Sequence, residues 1–165
     1  MPTLRFTGVV RKGMGRFGIE IMLPGRDQIS ASIREWPEVL QPGTLNVRIS
    51  ASGFPEDFLK AFGEADVRKL DSRRFAPEAE LQWNEIAGNT LPPEPAKPDR
   101  GNAQVWRAVL HNLETGEEKQ CWVLRRIGSG LWQDLELVAA EKLRDSLRLV
   151  DGTPVEIEMD GAWSQ

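Results

Sequence analysis

Apolar and polar residues alternate along most of this chain, and a repeat of two is typical of β-strands rather than helices. The clearest cases are "TLNVRIS" (44–50) and "PVEIEM" (154–159), in which every second side chain is apolar. Residues 104–124 show a similar pattern on either side of "LETGE", which predicts two strands joined by a turn. Further strands are predicted at 4–10, 17–23 and 131–139.

Helical signals are fewer and shorter. Ile29, Ile33 and Trp36 recur at helical spacing before a proline, which predicts one helix. A second helix is expected to begin at Pro55, and a third is expected over 139–149, before the turn sequence "DGTP". Together these patterns predict a mostly β fold with short helices, and a closed barrel rather than a layered α/β sheet.

Length and composition narrow the functional classes. With 165 residues we expect one domain over 1–165, carrying a proline-rich loop insert at 89–102. The net charge of −4 disfavours nucleic acid and an anionic membrane as partners. No apolar run approaches the ~20 residues that span a bilayer, and the amino terminus does not resemble a signal peptide, so we expect a cytoplasmic protein.

The segment "GMGRFG" (13–18) spells G-x-G-x-x-G, a pattern found in dinucleotide-binding loops. Such a loop must open a helix, whereas Gly18 is followed by the strand-like "IEIMLPG". A Walker A loop is excluded as well, because Lys-Ser or Lys-Thr does not follow the last glycine. Two interpretations remain: a plain hairpin turn, or an anion-binding turn flanked by Arg11, Lys12 and Arg16.

A second candidate lies in "QPGTLNVRI" (41–49), where the aliphatic residues must face the core. Thr44 and Asn46 then share the opposite face of the strand. They offer a hydroxyl and an amide oxygen, neutral ligands suited to a Mg²⁺ whose charge is balanced by substrate phosphates. The alternative is that both are ordinary polar residues on the wet face of a strand.

Glu136 is the third candidate. It alternates with Leu135 and Leu137 in a predicted strand, so it faces away from the core. Its carboxylate belongs either to a pocket or to the solvated surface. The "AEKLRD" segment that follows is expected to start a helix and to offer free backbone N–H groups.

Three segments in this order resemble the CTP-dependent riboflavin kinases known mainly from archaea. They are "VVRKGMGRFG", "PGTLNVRI" and "LELVAAEKLRDSLRLVDGTPVEIEM", whereas residues 51–103 match poorly. The resemblance implies a six-stranded cradle-loop β-barrel of the riboflavin kinase type. It also implies phosphoryl transfer from CTP to the 5′-hydroxyl of riboflavin, which gives FMN.

The resemblance also implies roles for individual residues. Thr44 and Asn46 would bind Mg²⁺, Ser129 and Glu136 would contact the flavin, and Glu136 would act as the catalytic residue. Nucleotide-binding residues would come from two segments, Gly13, Met14, Gly15, Arg16, Phe17 and Gly18 in the first, and Glu141, Lys142, Leu143, Arg144 and Asp145 in the second.

Three features depart from the family pattern. Phe17 occupies the place of the third glycine, only Ser129 in "RRIGSG" stands in for a flavin-loop threonine, and the insert at 89–102 has no counterpart. These departures favour an alternative function, a non-catalytic barrel of the same fold that binds a nucleotide, a flavin or a protein partner.

Overall fold

A computed structural model describes residues 2–12, 23–42, 44–82 and 101–164. Within these ranges, the barrel strands are β1 (Thr3–Arg11), β2 (Leu45–Ile49), β5 (Ala103–Asn112), β6 (Glu118–Arg126), β7 (Asp134–Val138) and β8 (Pro154–Asp160). They pair antiparallel in the order β5–β6–β7–β2–β1–β8, and β8 pairs back to β5, which closes a six-stranded barrel. The prediction of a mostly β fold with a closed barrel and few short helices is confirmed.

Shorter elements surround the barrel. The remaining strands are β3 (Phe75–Ala76), β4 (Ala79–Leu81) and β9 (Ala162–Trp163). β4 extends the sheet beside β5, and β3 pairs with β9. The α-helices are α1 (Glu56–Phe62) and α2 (Leu143–Ser146), and 3-10 helices occupy Arg26–Gln28, Ala51–Gly53 and Val67–Ser72.

Alternation located most of the strands correctly. The strands expected at 4–10, 44–50, 131–139 and 154–159, and the hairpin at 104–124, correspond to β1, β2, β7, β8 and the β5–β6 pair. The strand expected at 17–23 lies outside the described residues except for its last position. The same holds for the insert at 89–102, of which only Gly101 and Asn102 are described.

An apolar core fills the barrel, and α1 packs against it through Phe58. The Phe6 ring of β1 lies inside, with ring centroids 5.7 Å from Phe54 and 5.6 Å from Phe58. As predicted, α1 follows directly after Pro55, and it ends at Gly63 in a left-handed conformation. Fully burying an aromatic side chain contributes roughly 1.5–3 kcal/mol, so this contact helps to hold α1 against the barrel.

A second apolar cluster, here called the outer core, covers the outer face of β5, β6 and β7. Residues 23–42 supply Leu23, Ile33, Trp36 and Leu40 to it. The Trp36 and Trp122 rings meet edge to face at a centroid distance of 5.2 Å. One large part of the barrel's outer surface is therefore dry rather than solvated.

Two helix predictions need correction. Residues 29–36 contain turns instead of a helix, because the segment folds back so that Arg26 N–H donates to Pro37 O and Trp36 Nε1 donates to Pro24 O. The helix expected over 139–149 has only the four residues of α2, and Arg148 soon after it has a left-handed φ of 53°. Apolar residues at helical spacing are also buried when an irregular segment packs against the rest of the protein, so the spacing alone does not require a long helix.

Candidate functional site

Asn46 and Glu136 lie directly opposite each other on the neighbouring strands β2 and β7. Leu45 and Val47 face the barrel interior, so Asn46 points outward, as does Glu136 between Leu135 and Leu137. Two candidates that are 90 positions apart in the sequence therefore share one outer face. Thr44, just before β2, adds its hydroxyl, with Oγ1 3.4 Å from Asn46 Oδ1.

Asn46 is buried at this outer face, with 6% of its surface exposed. Its side chain lies close enough to the Asp134 carboxylate to lower the pKa of that group, and its Oδ1 accepts a hydrogen bond from the Thr44 hydroxyl. The side-chain oxygen that would bind a cation therefore has a defined direction.

Arg11 and Arg48 surround the Asp134 carboxylate. Arg11 Nε lies 3.4 Å from Oδ2 and Arg48 Nε lies 3.6 Å from Oδ1. Burial raises the pKa of Asp134, and Arg48 and Asn46 oppose that shift. We call this group, Thr44, Asn46, Asp134 and Glu136 with Arg11 and Arg48, the β2–β7 cluster.

Glu136 has the second shifted carboxyl of the β2–β7 cluster. Burial raises its pKa, Arg126 and Arg125 oppose this, and the negative charge of Asp134 adds to it. Its cross-strand neighbour Leu124 belongs to the outer core, which explains the poor solvation. A carboxyl in this setting holds its proton more readily than an exposed glutamate.

Ser129 and Glu136 line one small pocket beyond the end of β6. The other lining residues are Leu124, Arg125, Arg126, Leu131, Asp134 and Leu135. The space that water can enter is about 10 Å³, room for about one water molecule. Typical ligand pockets hold ~300–1,000 Å³, so these eight residues alone do not enclose a flavin ring.

The hydroxyl and the carbonyl of Ser129 already have partners. Its Oγ accepts a hydrogen bond from Leu131 N–H at 3.3 Å, and its carbonyl accepts one from Arg125 at 2.9 Å. Arg125 is buried and forms two further bonds to the Asp71 carboxylate, at 2.8 and 3.2 Å. Arg125 therefore fastens the β6–β7 connection to the 3-10 helix at Val67–Ser72.

The segment 141–145 is engaged with its own neighbours. Glu141 accepts hydrogen bonds from Ser146 at 2.8 Å and pairs with Lys119 at 3.0 Å. Leu143 is buried in the barrel core, while Lys142 and Asp145 are exposed. A four-residue helix also offers little of the macrodipole that would attract phosphate.

Arg144 connects this segment to the β2–β7 cluster. Its Nη2 donates to Asp151 at 2.7 Å and to the backbone carbonyl of Arg11 at 3.4 Å. Arg11 in turn contacts Asp134. The candidates of the first glycine segment, Gly13, Met14, Gly15, Arg16, Phe17 and Gly18, lie outside the described residues.

Asp134 is the carboxylate of the β2–β7 cluster that was not singled out from the sequence. A signal for it was present, because Asp134 and Glu136 are two positions apart and share a strand face. The missing information was the register between β2 and β7, which places Asp134 opposite Arg48.

No protein-family model matches this chain, and no curated protein matches its sequence. None of the helices within the described ranges is long and apolar enough to cross a membrane. A functional interpretation therefore depends on the geometry of the β2–β7 cluster.

Proposed function

We propose that this protein transfers a phosphoryl group from CTP to riboflavin with the help of Mg²⁺, giving FMN. The observation that carries the proposal is the convergence of Thr44, Asn46 and Glu136 on one outer face of the barrel. Phosphoryl transfer needs positioning and charge neutralisation more than a reactive protein nucleophile. The Thr44 and Asn46 oxygens would hold a Mg²⁺ that neutralises charge, and the poorly solvated Glu136 carboxyl would position the substrate hydroxyl.

The Thr44 and Asn46 oxygens have a spacing that fits Mg²⁺. Adjacent ligands of an octahedral Mg²⁺ at 2.0–2.1 Å are about 3 Å apart, and the two oxygens are 3.4 Å apart. Both ligands are uncharged, so the nucleotide phosphates would balance the positive charge of the ion. A bound Mg²⁺ would neutralise the charge that develops on the transferred group.

Glu136 would orient the riboflavin 5′-hydroxyl and accept its proton. The hydroxyl oxygen forms a bond to the γ-phosphorus while the bond from that phosphorus to the β–γ bridging oxygen breaks. CDP leaves, and the hydroxyl proton moves to the Glu136 carboxylate. A raised carboxyl pKa suits this role because a base is most effective when its pKa lies near the working pH.

Two observations count against catalysis and favour the alternative, a non-catalytic barrel of the same fold that acts as a binding or interaction module. The pocket beside Glu136 has room for about one water molecule. In the second nucleotide-binding segment, Glu141 and Arg144 already pair with other side chains. Kinase activity therefore requires other residues to complete the substrate pocket, or a change in the contacts that Glu141 and Arg144 make.

The test is to incubate the purified protein with riboflavin, MgCl₂ and either CTP or ATP, and to measure FMN by chromatography. We expect FMN with CTP. Thr44→Val should reduce its rate and raise the Mg²⁺ concentration needed for half-maximal activity. Ser50→Ala is the matched control, because it removes an exposed hydroxyl just after the opposite end of β2.

The outcomes separate the two functions. Formation of FMN that survives Thr44→Val and Asn46→Ala unchanged would refute the assigned site. If FMN is absent but CTP or riboflavin binds in titration calorimetry, the protein is a binding module. Absence of both activity and binding would refute both functions.

A further inference from the structure

A second group of polar side chains lies on the opposite side of the barrel. β8 is three strands away from β7 in either direction around the ring. On its outer face, Glu156 lies directly opposite His111 of β5, and Glu158 lies opposite Arg5 of β1. We call His111, Glu156, Glu158 and Arg5 the His111 cluster.

The imidazole and the two carboxylates of this cluster converge. One ligand atom from each of His111, Glu156 and Glu158 can be chosen so that all three lie within 4.8 Å of one another. Ligand atoms around a tetrahedral Zn²⁺ are about 3.3 Å apart, given bond lengths near 2.0–2.2 Å. Small side-chain rotations therefore bring these donors to coordination distance, whereas the backbone stays fixed by the strand pairing.

The cluster already holds one cation. Arg5 Nη1 lies 3.0 Å from Glu156 Oε1 and 3.0 Å from Glu158 Oε1. With the imidazole counted as neutral, one positive and two negative charges leave a net charge of −1. The Arg5 side chain is 58% exposed, so it is able to turn into solvent when another cation arrives.

We propose that His111, Glu156 and Glu158 form a site for a divalent transition-metal ion such as Zn²⁺, in competition with the Arg5 guanidinium. One imidazole nitrogen and two carboxylate oxygens are a donor set that suits Zn²⁺ better than Mg²⁺ or Ca²⁺. Solvent fills the remaining coordination positions, since the side chains are 22–25% exposed. The site is independent of the proposed kinase activity.

The position of this site gives it a structural role. The β5–β8 pairing is the one that closes the barrel, and the proposed ligands lie on both of these strands. An ion bound only by the folded protein stabilises it in proportion to the logarithm of its concentration above Kd. Bound Zn²⁺ therefore fastens the closing pair of strands together.

The test is titration calorimetry of the purified full-length protein with ZnCl₂, together with its variants. We expect one Zn²⁺ per chain, binding weakened at least ~10-fold by His111→Ala, and no change with Glu114→Gln, an exposed-carboxylate control. Arg5→Ala should tighten binding because it removes the competing cation, whereas Arg5→Lys should not. At 100-fold excess over Kd, Zn²⁺ should raise the melting temperature by roughly 5–10 °C.

A second measurement guards against variants that fold poorly. The chain has one histidine, so the imidazole ¹⁵N resonances of the unaltered protein all come from His111. Zn²⁺ binding at the proposed site must shift them. The proposal is overturned if Zn²⁺ binds without moving these resonances, or if neither the parent protein nor Arg5→Ala binds Zn²⁺.

Discussion

The two opposite outer faces of the barrel carry similar residue types in different surroundings. In the β2–β7 cluster, Asn46 and Asp134 are 6% and 5% exposed, and burial raises the pKa of both Asp134 and Glu136. In the His111 cluster, Glu158 and Glu156 instead raise the pKa of an open Arg5 side chain. Carboxyls whose pKa is raised by desolvation are suited to proton transfer, whereas the partly exposed carboxylates of the His111 cluster are able to exchange one cation for another.

The outer core explains much of this difference. Leu124, which pairs across the strands with Glu136, packs in the outer core under residues 23–42. Water is thereby excluded from one side of the β2–β7 cluster. Polar residues on the outer face of the barrel therefore differ in their solvation, because a separate chain segment covers part of that face and leaves the rest open.

The largest difference between the two faces should appear in activity. Glu136→Gln keeps the shape of the side chain but removes the proton acceptor, so we expect the rate of FMN formation to fall ~10²–10⁴-fold. Glu118→Gln makes the same chemical change on an exposed strand position opposite His111 and should leave the rate within about twofold. Equal rates for both variants would show that burial of Glu136 does not serve catalysis.

The second largest difference should appear in the free energy of unfolding that a carboxylate on each face contributes. Asp134→Ala removes a buried carboxylate that Arg11 Nε approaches at 3.4 Å, and the loss of one partner of a buried polar contact costs about 2 kcal/mol of unfolding free energy. Asp134→Asn keeps an acceptor oxygen and should lose less. Glu156→Ala on the other face should cost below about 1 kcal/mol, because it removes only a partly exposed ion pair. Urea denaturation of the three variants gives the comparison, and equal losses would contradict the contrast.

Local patterns predicted the six barrel strands, and not β3, β4 or β9, but they did not predict how the strands pair. Alternation placed Asn46 and Glu136 on outward faces correctly, because that inference needs only one strand at a time. Their adjacency depends on the β2–β7 register, which is set by packing of the whole barrel. For the same reason, the sequence around His111 does not indicate that Glu156 and Glu158 are its neighbours.

The outer core was also beyond sequence reasoning. Ile33 and Trp36 are buried in it and Ile29 is partly buried. Their spacing was wrongly attributed to a helix, because a helical spacing does not reveal which surface the side chains cover. That surface is the outside of a barrel built mainly from residues more than 60 positions later.

The pH dependence of stability should have opposite signs at a buried and an exposed carboxyl. Because burial raises the folded-state pKa of Glu136, its contribution to stability is lost as pH rises from its unfolded value, ~4.3, through the folded value. Glu141 is the opposite case, since Lys119 and Ser146 lower its pKa. It contributes stability above the unfolded pKa, and this is lost as pH falls through the folded one.

Thermal unfolding measured between pH 3 and pH 8 tests these two opposite dependences of stability on pH. As pH rises, the stability of Glu136→Gln relative to the parent should increase, and that of Glu141→Gln should decrease. Both changes should be complete once the pH passes the pKa values involved. A constant difference for Glu136→Gln would mean that its carboxyl is solvated as in the unfolded chain.

The smallest effect concerns salt. The Debye length falls from about 30 Å at 0.01 M ionic strength to about 3 Å at 1 M, so ion pairs open to solvent are screened while buried contacts are not. Arg5→Met should change the melting temperature slightly at low salt and not measurably at 1 M NaCl. Asp134→Ala should keep most of its loss at both salt concentrations, because Asp134 is 5% exposed and the contacts of a buried group are screened much less. If 1 M NaCl also removed the Asp134→Ala effect, the β2–β7 cluster would be held by surface charge, and burial would no longer distinguish the two faces.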